Sequence, residues 1–199
     1  MPILASLGPF HAPAGKDGAR PQATVTLRGN GMPSQQLFLV VLGGRAAGAH
    51  IELHDVRFVA GASIEDTVPE LRRQWFGARK GLHLDSWMAV RFVAGYRVEL
   101  RREPFDGPER LWFVNLGGYD PAQLAEQHAF GLFVATSPAG AKAAARRSLL
   151  PQAQQRHKDD LHGVEEALAT AAGERWWVHL IADGRSQNPV PDWLGYRPI

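Results

Sequence analysis

The feature that most constrains this chain is that it repeats itself. Sliding the sequence along itself by 74 positions aligns residues 37–90 with residues 111–164 without a gap, and 13 of the 54 aligned positions are identical. The recurring residues are Leu37, Val40, Leu42, Gly43, Gly44, Glu52, His54, Ser63, Arg72, Arg73, His83, Asp85 and Val90. Random composition would give about 3 or 4 such matches, and these include polar residues and glycines as well as aliphatics. The chain is therefore an internal duplication. A unit of this size buries little core by itself, so the two copies are expected to pack against each other as one integrated domain.

Each copy reads the same way. Residues 37–42 and 111–116 are short apolar runs of strand type that stop at Gly-Gly, where glycine allows backbone angles closed to other residues. A second strand follows over residues 52–60 and 126–135. Ser63 and Ser137 stand where helix N-caps belong, which predicts helices over residues 64–76 and 138–150, with Pro138 suited to the first helical position. The first copy then closes with a hairpin, residues 90–93 and 96–100 about Ala94-Gly95, and the second ends on residues 176–180. The expected fold class is α+β: duplicated β-β-α-β-β units, 37–100 and 111–180, related by an approximate twofold, forming antiparallel sheets with both helices packed on one face.

Flanking these units, residues 1–31 show no helical or strand period and are expected to form a poorly ordered tail, with Met32 the natural start of a domain spanning 32–199. Residues 188–199 hold too many prolines for regular structure, and the segment 181–199 is expected to lie on the core as a strap through Trp193, Leu194 and Tyr196.

Charge narrows the partners. The net charge of +2 resides in residues 1–31, where Lys16, Arg20 and Arg28 face only Asp17; the remainder balances 19 basic against 19 acidic residues. Phosphate binding normally leaves a basic footprint, so a nucleic-acid partner is not expected. The longest apolar run, residues 37–42, is far short of the roughly 20 residues of a membrane-spanning helix. The first ten residues lack a basic leader, which suggests a cytoplasmic protein. The absence of cysteine excludes disulfides, thiolate metal sites and cysteine nucleophiles. What is left is a small molecule or a protein, a second copy in a homodimer included.

The chemistry concentrates in the repeated polar residues. Glu52 and His54, two apart on a strand, share a face with Val56 and Phe58; Glu126 and His128 share one with Phe130 and Leu132. On such a face an unpaired polar group costs about 1–3 kcal/mol, so partners are required. His83 with Asp85, and His157 with Asp159, are the candidates, and Glu52 and Glu126 are expected to fix a histidine tautomer. A quartet of two imidazoles and two carboxylates suits either a polar network satisfied within itself or a site for a divalent metal or acid/base pair, built in the first copy from His54, His83, Glu52 and Asp85. Gly43, Gly44 and Arg45 form a candidate anion loop, because Arg45 has Tyr119 as its counterpart in the second copy. Trp75, Trp87 and Trp112 suit the core better than a ligand platform. Signatures of the P-loop, the dinucleotide turn, the nucleophile elbow and the His-Glu-x-x-His helix do not occur.

Taken in order, Leu-Gly-Gly at 42–44, Glu-Leu-His-Asp at 52–55, Leu-His-Leu-Asp-Ser at 82–86, Gly-Tyr-Arg-Val-Glu-Leu at 95–100, Asn-Leu-Gly-Gly-Tyr at 115–119, Glu-Gln-His at 126–128 and His-Lys-Asp-Asp-Leu at 157–161 resemble the bacterial domain-of-unknown-function 1543 family. The resemblance covers most of residues 36–180 and implies one or two copies of the domain, with no activity attached; the second copy departs from it near residues 167–174. Two roles follow for the chain: a non-catalytic binding or self-associating module, or a metal-dependent or acid/base enzyme built on the quartets.

Overall fold

The computed structural model describes residues 3–6, 34–168 and 175–199. The first copy contributes β2 (Gln36–Gly44), β3 (Leu53–Gly61), α1 (Ile64–Gln74), β4 (His83–Ala89), β5 (Phe92–Val93) and β6 (Tyr96–Arg101). The second contributes β7 (Arg110–Tyr119), β8 (Gln127–Ala135), α2 (Pro138–Ser148), β9 (Gln154–Gly163), α3 (Val164–Ala167) and β10 (Trp177–Ala182), and β11 (Trp193–Pro198) follows. Most of the tail expected over residues 1–31 lies outside the described residues. Ile3–Ser6, however, forms a strand, β1, against β8, since main-chain ladder bonds extend a sheet edge without any side-chain period.

Among the described residues every pairing is antiparallel, and the class is α+β. One sheet runs β11-β4-β2-β3 and its counterpart runs β9-β7-β8-β1, so β2 and β7 are equivalent central strands. A third sheet, β10-β6-β5, joins the copies by pairing β10 of the second with β6 of the first. The first copy carries one strand beyond the expected β-β-α-β-β order, and the second keeps four strands with α3 set between the last two; in both, the strand after the first helix was not expected. These are β4 and β9, and they contain the His-x-Asp pairs. β4 breaks its alternation at Asp85-Ser86 and β9 opens on seven polar residues, 154–160, so neither shows the sustained period-2 apolar signal that marks a half-buried strand.

Alternation along β2 explains its continuous apolar run, because both of its faces are buried. Leu37, Leu39 and Val41 enter a central cluster with Leu111, Phe113, Phe130 and Leu132 of the second copy. Phe58 and Phe113 meet edge to face there, with ring centroids 5.6 Å apart. Phe38, Val40 and Leu42 pack on the other face against Ile64 and Leu71 of α1 and against Trp75. In the second copy Val114, Leu116 and Phe133 do the same with Ala141 and Ala145 of α2. The two sheets thus meet through the central cluster, and the helices cover opposite outer faces. This corrects the expectation of both helices on one face, which overlooked that a strand apolar on both sides needs a cover on each.

Ser63 caps α1 in a capping box: its hydroxyl accepts from the Asp66 N–H at 3.3 Å, and the Asp66 carboxylate accepts from the Ser63 N–H at 2.9 Å. The Ser137 hydroxyl accepts from the Gly140 N–H at 3.2 Å, with Pro138 opening α2. Residues 193–198, expected to be irregular, form β11 instead. Pro189 and Pro191 precede the strand and Pro198 ends it at a sheet edge, where a missing N–H does no harm.

Candidate functional site

The Gly-Gly pairs turn out to be strand residues. Gly43 is the ladder partner of His54 on β3 and of His83 on β4; Gly117 is the partner of His128 on β8 and of His157 on β9. Each glycine is therefore bracketed by two histidines. A Cβ on Gly43 would lie 2.4 Å from His83 Nε2 and 2.8 Å from Asp85 Oδ2; one on Gly117 would lie 2.5 Å from Glu126 Oε1 and 2.7 Å from Asp159 Oδ2. Glycine is required for room, and neither residue uses a left-handed backbone. Of the candidate anion-loop residues, Gly43 and Gly44 are buried ladder residues of β2, and Arg45 follows as an exposed residue.

The aspartates reach the glycine by the same device in both copies. Along β4 the register passes from Val41↔Ser86 to Leu42↔Leu84, which leaves Asp85 as the extra residue of a β-bulge. Along β9 it passes from Asn115↔Asp160 to Leu116↔Lys158, leaving Asp159. Bulges re-aim side chains, and here the re-aimed group is a carboxylate each time. Glu52 and Glu126 stand directly before β3 and β8 and complete the quartets.

In the first quartet His83 Nε2 lies 3.2 Å from Asp85 Oδ1 and 3.6 Å from Glu52 Oε1, while His54 Nε2 lies 3.3 Å from Asp85 Oδ2 and 3.8 Å from Glu52 Oε2. In the second, His157 Nε2 is 3.0 Å from both Glu126 Oε1 and Asp159 Oδ1. His128 faces Asp159 Oδ2 through Nδ1 at 3.0 Å and Glu126 Oε2 through Nε2 at 3.6 Å. Among the described residues, Glu126, His157 and Asp159 each bring one ligand atom within 4.8 Å of the other two.

A main-chain carbonyl sets the key imidazole of each quartet. His83 Nδ1 lies 2.8 Å from the Gly81 carbonyl, and His157 Nδ1 lies 3.2 Å from the Gln155 carbonyl. A carbonyl only accepts, so Nδ1 carries a proton, and Nε2 is the atom that faces two carboxylates. The expectation that Glu52 and Glu126 fix the tautomers thus gives way to main-chain control of His83 and His157. Gly81 (φ 84°) and Gln155 (φ 48°), equivalent under the 74-residue shift, share the left-handed backbone at the carbonyl that receives this bond.

Electrostatically the first quartet is under tension. Burial pushes the Asp85 carboxyl above its ordinary range, against the pull of the His54 and His83 imidazoles. Asp85 Oδ2 and Glu126 Oε1 are buried and accept no hydrogen bond. The donors of Glu126, His157 and Asp159 converge within 4.8 Å of one another, so these three residues fit a divalent ion; in the first quartet the histidine–carboxylate separations are 3.2–3.8 Å, about the roughly 3.3 Å edge of a tetrahedron built on 2.0–2.1 Å bonds.

Trp75 is buried, and Trp87 and Trp112 pack against the outer clusters. Sequence reasoning passed over Gly81 and Gln155, which differ in identity and so leave no mark on the self-alignment. It also left Tyr196 in the strap, although that ring stacks on His83.

Among curated proteins none matches this chain. Among solved structures it is similar to the protein Il1583 from Idiomarina loihiensis, at 41% identity and a TM-score of 0.65, over 82% of this chain and 97% of that one. The profile described as Domain of Unknown Function (DUF1543) matches residues 49–100 and 123–171, one stretch in each copy. On these two matches, which contain Glu52, His54, His83 and Asp85 and their four counterparts, the chain belongs to the DUF1543 family and carries its domain twice.

Proposed function

We propose that this protein is a binding module for divalent first-row metal ions, with one site in each quartet: Glu52, His54, His83 and Asp85, and Glu126, His128, His157 and Asp159. The observation that carries the reading is the tautomer of His83 and His157. With Nδ1–H committed to a main-chain carbonyl, Nε2 faces two carboxylates, an arrangement that calls for a proton or a metal ion between them. Imidazole and carboxylate donors together favour zinc, manganese or iron over calcium and magnesium, which take oxygen ligands. The shared central cluster supports taking residues 32–199 as one integrated domain.

A polar network satisfied within itself is the competing role. The bond between His128 Nδ1 and Asp159 at 3.0 Å favours it, but it leaves Glu126 Oε1 without a donor. Elemental analysis of protein purified without a histidine tag separates the two. Up to two equivalents of a first-row metal per chain are expected, and none in the double variant His83→Ala/His157→Ala. Protein that holds no metal as purified, and takes up none on dialysis against zinc, would overturn the proposal.

A further inference from the structure

The two quartets share their ligands but not their surroundings. β11 lies along β4, pairing Trp193↔Trp87, Leu194↔Ser86, Arg197↔Leu84 and Pro198↔His83, and beyond it the Ile199 N–H donates to the Leu82 carbonyl at 3.1 Å. From this strand Tyr196 lays its ring over that of His83, centroids 4.0 Å apart and planes inclined at 34°. His83 is left 1% exposed. In the second copy β9 takes the place of β4 but is the last strand of its sheet. No described strand covers its outer edge, and the His157 side chain is 45% exposed. The ring stacked on it, Tyr119, stands off at 6.0 Å and is itself 47% exposed.

We infer that the two metal sites, on the reading proposed above, differ in kind: the first, anchored by a buried His83, retains its ion, and the second exchanges it. A chelated ion leaves by stepwise detachment, each donor swinging away before the next. His83 cannot swing. Its ring is held between the Gly81 carbonyl, the main chain at Gly43 and Tyr196, so rotation requires β11 to lift from β4. His157 rotates into solvent with only Tyr119 to displace. The buried, twice-anchored imidazole makes a slow site and the half-exposed one a labile site, although the residue types are the same.

Transfer of zinc to an excess of a chromogenic pyridylazo chelator reads this directly. The full-length chain, loaded with zinc, should release it in two phases, the slow one at least about 10-fold slower than the fast. His157→Ala should remove the fast phase and His83→Ala the slow one. Tyr196→Ala should accelerate the slow phase several-fold and leave the fast phase alone, while Tyr196→Phe, which keeps the ring, should leave both unchanged. Tyr196 is 64% exposed, so its truncation leaves the fold in place, and far-ultraviolet circular dichroism checks this. A single release rate, assignment of the phases to the opposite histidines, binding at one quartet only, or a slow phase indifferent to Tyr196→Ala would each overturn the inference while leaving metal binding intact. Failure to take up zinc at all would remove the metal reading and the inference with it.

Discussion

Gly43 and His83 stand side by side on neighbouring strands with so little room between them that a methyl group on the glycine would lie 2.4 Å from the imidazole Nε2. Gly43→Ala should therefore push His83 off its position and weaken zinc binding in the first quartet by at least about 10-fold, the scale on which displaced supporting groups act. Gly117→Ala should do the same in the second. Titration calorimetry on each variant checks this, and unchanged binding in both would contradict the role given to the glycines.

Burial separates the two copies in the absence of metal. His83→Ala removes a side chain that is 1% exposed and should destabilise the metal-free protein by about 1–3 kcal/mol. His157→Ala removes a half-exposed one and should stay within about 0.5 kcal/mol of the parent. Urea unfolding in the presence of a chelator measures both. Equal losses would mean that the fold relies on the two quartets alike.

Zinc should raise the melting temperature and a chelator should lower it. An ion that binds the folded chain at 100 times its dissociation constant adds about 2.7 kcal/mol per site, and magnesium, poorly matched to imidazole, should add nothing. Differential scanning calorimetry with zinc, magnesium and chelator makes the comparison. Identical curves in all three would count against metal at either quartet.

Gln155 holds a left-handed backbone (φ 48°) where the first copy has Gly81. A residue with a Cβ is strained there by about 1–2 kcal/mol, and glycine gives back about half of that through the freedom of its unfolded chain. Gln155→Gly should thus stabilise the protein by about 0.5–1 kcal/mol and leave zinc affinity unchanged, since the carbonyl that orients His157 belongs to the main chain. Denaturant unfolding tests the first part and calorimetry the second.

Much of this was legible in the sequence because duplication doubles weak signals. The 74-residue shift singled out Glu52, His54, His83, Asp85 and their counterparts, and the structure brings each set together. The helix starts at Ser63 and Ser137 were equally plain, since capping is written in two or three adjacent residues. β4 and β9 were not, because their site-facing positions are polar and the apolar period is lost where it is needed. The bulges at Asp85 and Asp159 were hidden for another reason: a register shift is a relation between two strands, and neither strand records it alone. Gly81 and Gln155 act through a carbonyl that every residue possesses, so residue identity could not point to them.

The cover over the first quartet also imposes an order in time. His83 and Asp85 leave the ribosome with Glu52 and His54 already made, so the ligand set exists early, but Tyr196 follows more than a hundred residues later. Through that interval His83 lacks the ring that later lies over it. An ion can then enter the first quartet from the side that β11 afterwards seals. On the proposed metal reading, what the completed protein holds in its first copy would reflect the metals available while the chain was being synthesised, and what it holds in its second the metals present at any later moment.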